Sequence, residues 1–145
     1  MIKVRNATPE DIPAIMRLIQ QLAGASGETS LTSEAYIADY LADSVSHVLL
    51  AEDVGIVIGL LSYSARPDLY HAGHCCMVEE LVVSSDKRSQ GIGGALLETL
   101  MAHAEAEGWV EVSVGVMPDN NRALEFYRRH GLVDEALLLE RHLRK

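Results

Sequence analysis

Residues 77–104 read MVEELVV, then SSDKRSQ, then GIGGALLETLMAHA, and the fold of the chain turns on how these three pieces are joined. The first is an apolar run carrying two acids, Glu79 and Glu80; the second is polar; the third is amphipathic and opened by glycines. That is a strand, a loop and a helix. Gly91, Gly93 and Gly94 fall where loop becomes helix, so no side chains stand in front of the first-turn N–H groups, which lack intrahelical acceptors. The N-terminus of a helix is partially positive, and Lys87 and Arg88 add two full charges just upstream. An anion site is expected there, best suited to a pyrophosphate. The ATP-binding loop is excluded, because no Gly-Lys-Ser/Thr ending follows Gly93. The dinucleotide fingerprint fits poorly: it wants Gly or Ala where Leu96 stands.

Working outward from this segment, Ile2 and Val4 alternate with Lys3 and Arg5 as a short, half-buried strand. Thr8-Pro9-Glu10-Asp11 starts a helix, with a capping hydroxyl, a proline suited to the first position and acids at the positive end of the dipole. Ile12, Ile15, Met16, Ile19 and Leu22 follow at helical spacing as a core face, and after a small, polar loop a second helix from Thr32 presents Tyr36, Ile37, Tyr40 and Leu41. Residues 48–51 and 56–63 predict a hairpin turning at Asp53-Val54-Gly55, and residues 66–73 a loop with Pro67, Tyr70 and His71. Downstream, Leu96, Leu97, Leu100, Met101 and Ala104 face inward on the glycine-opened helix, which ends near Gly108. A fifth strand spans 109–116, a helix from Asn120 stops at Gly131, and 132–133 with 136–143 predict two closing strands. The expectation is one domain over 1–145 in the α+β (α/β) class: a mixed, mostly antiparallel sheet of about seven strands with about four helices.

Three pieces then combine. Arg88-x-x-Gly91-x-Gly93 is preceded by a strand ending Leu81-Val82-Val83 and followed by Asn120-x-x-Ala123-x-x-Phe126-Tyr127. Together they closely resemble the acyl-CoA loop and second signature of the GNAT superfamily of N-acetyltransferases. The resemblance covers nearly the whole chain and is weakest over 23–46 and 66–76. It implies a GNAT-like fold whose fourth and fifth strands splay apart to admit the pantetheine arm, with acetyl-CoA as co-substrate and direct transfer of the acetyl group to a primary amine. By the same resemblance Arg88, Ser89, Gln90, Gly91, Ile92, Gly93 and Gly94 hold the phosphates. Leu81, Val82 and Val83 offer backbone groups to the pantetheine, and Asn120, Ala123 and Tyr127 complete the donor site. Ser89 departs from the family's frequent glycine directly after the motif arginine.

Acetyl transfer to an amine needs a neutral amine, a polarised carbonyl and a protonated leaving thiolate. A lysine-like amine has a pKa of about 10.4, so a base or ordered water must take its proton. Glu79 and Glu80 are the candidates; strict alternation sends only one to the cleft, and Glu79, on the face of Met77, Leu81 and Val83, is favoured. The alternative is a solvated or salt-bridged strand carboxylate. Tyr127 resembles the family tyrosine near the CoA sulfur, placed to protonate the thiolate, against the plainer role of a core aromatic beside Phe126. Asn120 suits a helix cap, a contact with the CoA arm, or both.

Composition narrows the partners. A net charge of −9 disfavours a nucleic-acid surface and favours a cationic small molecule or a protein or peptide amine. No apolar run reaches the roughly 20 residues of a membrane span, and the start lacks a secretory apolar region. A cytoplasmic protein without a membrane partner is expected, with a homodimer within expectation. Cys75 and Cys76, the two cysteines, are adjacent and predict reduced thiols entering a strand. His71, His74, Cys75 and Cys76 match no common structural zinc spacing, so no metal is expected. From another class, a non-catalytic acyl-CoA-binding or sensing module is the alternative.

Overall fold

In the computed structural model, which describes residues 1–144, the alternating start becomes β1 (Ile2–Asn6). Pro9–Asp11 form a short 3-10 turn, and the Asp11 carboxylate folds back on the Thr8 N–H at 2.8 Å. Arg5 grips the same carboxylate with two N–H groups at 2.8 and 2.9 Å, which holds it down at about 2. Then come α1 (Ile12–Gly24) and α2 (Glu34–Ala42), the latter capped by the Ser33 hydroxyl accepting from Tyr36 N–H.

The hairpin is longer than its apolar stretches: β2 is Ser46–Asp53 and β3 is Ile56–Asp68. The segment expected as a loop over 66–73 is half strand, since β3 runs to Asp68, β4 (Gly73–Val83) starts at Gly73, and 69–72 turn. Pro67 misled the expectation. It pairs with His74 in a stretch beyond the last β2 partner, Ser64, so its missing N–H costs no ladder bond on that side. After β4 come α3 (Ile92–Glu107) and β5 (Glu111–Val114). The sheet order is β1-β2-β3-β4-β5, antiparallel except for the parallel β4–β5 pair.

Paired residues share a face, which places the layers. Val48, Leu50, Leu60 and Val82 pack with Ile15 and Leu18 of α1 and Ile37 of α2 on one side. Gly59, one residue from Leu60, points the other way, where a Cβ would meet Ile92 Cγ2 at 2.9 Å and Leu96 Cδ1 at 3.2 Å. The helix α3 therefore covers the second face and lies close on β3, with Leu96, Leu97 and Leu100 fully buried.

Two features of β4 matter for the site. Its ladder with β5 runs only from Cys75–Glu111 to Val78–Val114, whereas β4 itself continues to Val83; this is the splay of the fourth and fifth strands. And the β3–β4 register slips between Ser62 and Tyr63: Ser62 faces Glu80 and Tyr63 faces Val78, which leaves Glu79 as the extra residue of a bulge.

Residues 1–114 form one compact unit and those from Gly115 another. The second holds α4 (Asn121–Arg129). The two closing strands expected at 132–133 and 136–143 are not formed, so the sheet has five strands among the described residues rather than about seven. Ala136-Leu137-Leu138-Leu139 neither alternates nor contains a β-branched residue, and a short apolar run of that kind does not by itself specify a strand. No described helix is long and apolar enough to cross a membrane.

Candidate active site

The open side of β4 can be phased from one hydrogen bond. Ser84 N–H donates to Ile58 O across the ladder at 2.8 Å. Antiparallel neighbours alternate in direction, so Val82 also turns its N–H and C=O to β3, while Leu81 and Val83 turn theirs to the opposite edge, which β5 has left. Arg88 agrees with this phase, its Nε lying 3.5 Å from Val83 O on the exposed side. Leu81 and Val83 thus turn their backbone groups to the open edge, where the Val83 carbonyl takes a long bond from Arg88, and Val82 contributes a core side chain.

Over Gly59, the β3 partner of Val83, lies the N-terminus of α3. Gly91 is its N-cap at φ +77°, and Ala95 N–H donating to Gly91 O at 3.0 Å is the first helical bond. The N–H groups of Ile92, Gly93 and Gly94 consequently have no acceptor within the helix. Ser89 also has positive φ, +65°, at a cost of about 1 kcal/mol for a side chain with a Cβ. This explains why a glycine is frequent after the motif arginine: the position demands a left-handed backbone, and serine adopts it under strain. Two left-handed residues beside a helix N-terminus form a concave set of N–H groups suited to phosphate oxygens. Lys87 and Arg88 flank it, so the residues present fit an anionic donor such as acetyl-CoA. Gln90 is exposed in the same loop.

The acidic end lies on the α1–α2 face. Because Glu79 occupies the bulge, strict alternation fails there, and both carboxyl groups act on the same neighbour, Tyr40 of α2. Its phenol is pushed up to about 12 by burial and then by the Glu80 and Glu79 charges, against hydrogen bonds with Ser62 and Ser46. The Ser62 hydroxyl donates to the Glu80 carboxylate and accepts from Glu80 N–H at 3.0 Å. Glu79, exposed as a residue, is still raised above its usual value by partial desolvation of its carboxyl group and by Glu80, while Ser64 and Arg66 pull it back. Tyr40, Ser62 and Ser64 were not singled out from sequence as site residues. Nothing in local spacing marks them, since the β3–β4 register and the packing of α2 bring them together.

In the second unit, Asn120 caps α4: its Oδ1 accepts from Ala123 N–H at 3.2 Å. This explains the spacing of three between those residues. Tyr127 packs edge-on against Phe126, ring centroids 5.1 Å apart, and burial pushes its phenol up to about 12, so it holds its proton at neutral pH. The turn after α4 is fixed by Gly131 at φ +89°, by Leu132 N–H donating to Tyr127 O at 3.1 Å, and by a two-pronged Arg128–Asp134 pair at 3.0 and 2.8 Å.

Comparison with known proteins gives a consistent result. The family described as acetyltransferase (GNAT) matches residues 12–132. An aminoalkylphosphonate N-acetyltransferase of Salmonella typhimurium is 30% identical over 129 residues, 89% of this chain and 83% of that protein. A thialysine N-epsilon-acetyltransferase of Bos taurus is 27% identical over 149 residues, 92% and 85% of the two chains. Among solved structures, an aminoglycoside acetyltransferase from an uncultured soil metagenomic sample, in complex with sisomicin, superposes with a TM-score of 0.87 at 20% identity. That match covers 99% of this chain and 97% of the other, and at that identity it speaks to the fold.

Proposed function

Because the chain belongs to the GNAT acetyltransferase family, we propose that it moves an acetyl group from acetyl-CoA directly to a primary amine, with 1–145 acting as one catalytic domain. The observation that carries this most is the β4 edge beyond Val78, where open backbone groups at Leu81 and Val83 run from a glycine-opened helix N-terminus to a pair of carboxylates. Acetyl-CoA supplies the activated thioester. The first-turn N–H groups of α3, with Lys87 and Arg88, bind its phosphates, and the Leu81 and Val83 backbone orients its arm. Glu79 takes the amine proton, directly or through water, and Tyr127 holds the proton destined for the leaving sulfur. The reach of the family match across both units supports the single-domain assignment. The free thiols of Cys75 and Cys76 suit a reducing compartment, and we place the enzyme in the cytoplasm.

The acceptor we infer is a cationic primary amine, drawn by the paired acids at the bulge and by a net charge of −9. The two relatives are named for acetylating an aminoalkylphosphonate and the ε-nitrogen of thialysine, which supports an amine carrying a second polar group. A panel of amines assayed for free CoA release tests this. Diamines and basic peptides are expected to turn over best, with kcat/KM falling as salt rises. No release with any amine, alongside normal acetyl-CoA binding, would favour the sensing module instead.

Glu79 and Glu80 also give a signature in pH. A base works as carboxylate, so activity should fall as pH drops through the raised pKa of Glu79. Since Glu80 contributes to that elevation, Glu80→Gln is expected to move the acid limb of kcat/KM to lower pH while the amide keeps a bond to Ser62. An acid limb that stays in place assigns the limb to another group.

A further inference from the structure

We infer that Asp68, His71 and Cys75, completed by water, form a binding site for a divalent transition-metal ion of the zinc type. The site lies at the tip of the β3–β4 hairpin, and it is independent of acyl transfer. Asp68 ends β3, His71 sits in the turn and Cys75 is the third residue of β4. One carboxylate oxygen, one imidazole nitrogen and the thiol sulfur of these residues all lie within 4.8 Å of one another. Asp68 Oδ2 accepts from His71 N–H at 2.9 Å and lies 2.6 Å from His71 Nδ1, so the turn itself holds the two together. Cys75 is paired with Glu111 across the β4–β5 ladder. Three donors thus come from two adjacent strands of the sheet and the turn that joins them.

The donor chemistry selects the ion. One sulfur, one imidazole and one carboxylate form a borderline-soft, three-donor set of the kind that binds zinc with water in the fourth position. Bond lengths of about 2.0–2.3 Å put tetrahedral ligands about 3.5 Å apart, so the widest pair must close by about 1 Å. Rotation of the exposed His71 and half-buried Asp68 side chains supplies such a movement. The Cys75 side, 2% exposed, would form the floor. On binding, the S–H bond breaks, the sulfur electron pair goes to the metal and the proton leaves to solvent. One carboxylate and the thiolate then face one divalent cation, with Arg66, the β3 partner of Cys75, as the neighbouring positive charge. The sequence grouping of His71, His74, Cys75 and Cys76 missed this set because Asp68 arrives through the β3–β4 pairing, while Cys76, the next residue along β4, points to the opposite face.

Titration of EDTA-stripped, dialysed protein with Zn²⁺ tests the site. One equivalent is expected to bind with a Kd of about 1 μM or tighter and to raise the melting temperature. Co²⁺ should give a thiolate-to-cobalt charge-transfer band in the near ultraviolet. His71→Ala and Cys75→Ser should each weaken binding about tenfold or more, with His74→Ala and Cys76→Ser as unaffected controls. His71 is exposed in a turn, so its variant keeps the fold. If Cys75→Ser proves unstable, the cobalt band in the native chain decides the sulfur's part. Absence of saturable binding, absence of the band, or binding that survives His71→Ala overturns the site.

Discussion

Tyr127→Phe is expected to lower kcat about 10²-fold while leaving acetyl-CoA affinity within a few-fold. The loss corresponds to about 2.7 kcal/mol at the transition state. The substitution removes one oxygen and keeps a ring that packs edge-on against Phe126. Burial holds the phenol at about 12, so the native group is protonated throughout the neutral range and has a proton to give. Phosphate binding is assigned to a different segment, residues 88–94, and should not register the change. The measurement is single-turnover rate together with donor affinity by titration. A variant that binds normally and keeps its full chemical rate leaves water as the acid. If affinity and melting temperature fall together, the hydroxyl was holding structure.

Gly93→Asp should abolish the thermal stabilisation by acetyl-CoA. At about 100 times its dissociation constant, acetyl-CoA stabilises the native chain by roughly 2.7 kcal/mol. Residue 93 is the second in α3, where the backbone N–H has no helical acceptor. An aspartate there puts a carboxylate where a phosphate oxygen would sit. Acids in the first turn favour a helix through its dipole, so the ligand-free melting temperature should hold or rise. That contrast separates lost binding from lost fold. A variant that melts normally and still shifts with acetyl-CoA would show that the phosphates bind elsewhere.

The strand, loop and helix of residues 77–104 were legible because glycines, charges and apolar spacing are local properties, and so was the Asn120 cap, whose two ends lie three residues apart. The bulge at Glu79 was not. Whether alternation survives there depends on which β3 residue stands opposite, and Ser62 and Tyr63 give no sign in their own neighbourhood that the register slips between them. The choice of Glu79 over Glu80 by face rested on that alternation, whereas in the fold both acids act on Tyr40, about 40 residues earlier in the chain and on another element. The closing strands failed for a related reason. Leu137, Leu138 and Leu139 are apolar enough for a strand, but a strand exists only through the partner that ladders with it.

Gly59 lies beneath the first turns of α3, touching Ile92 from below and pairing with Val83, and has no side chain of its own to bind or react. Its missing side chain sets how low the helix rides on β3, since a methyl there would press Ile92 and Leu96 upward. The β4 edge is anchored separately, by its own pairing with β3. The gap between phosphate cradle and strand edge is thus a clearance governed from the floor, and lineages of this architecture could retune donor preference through residue 59 with every motif position unchanged.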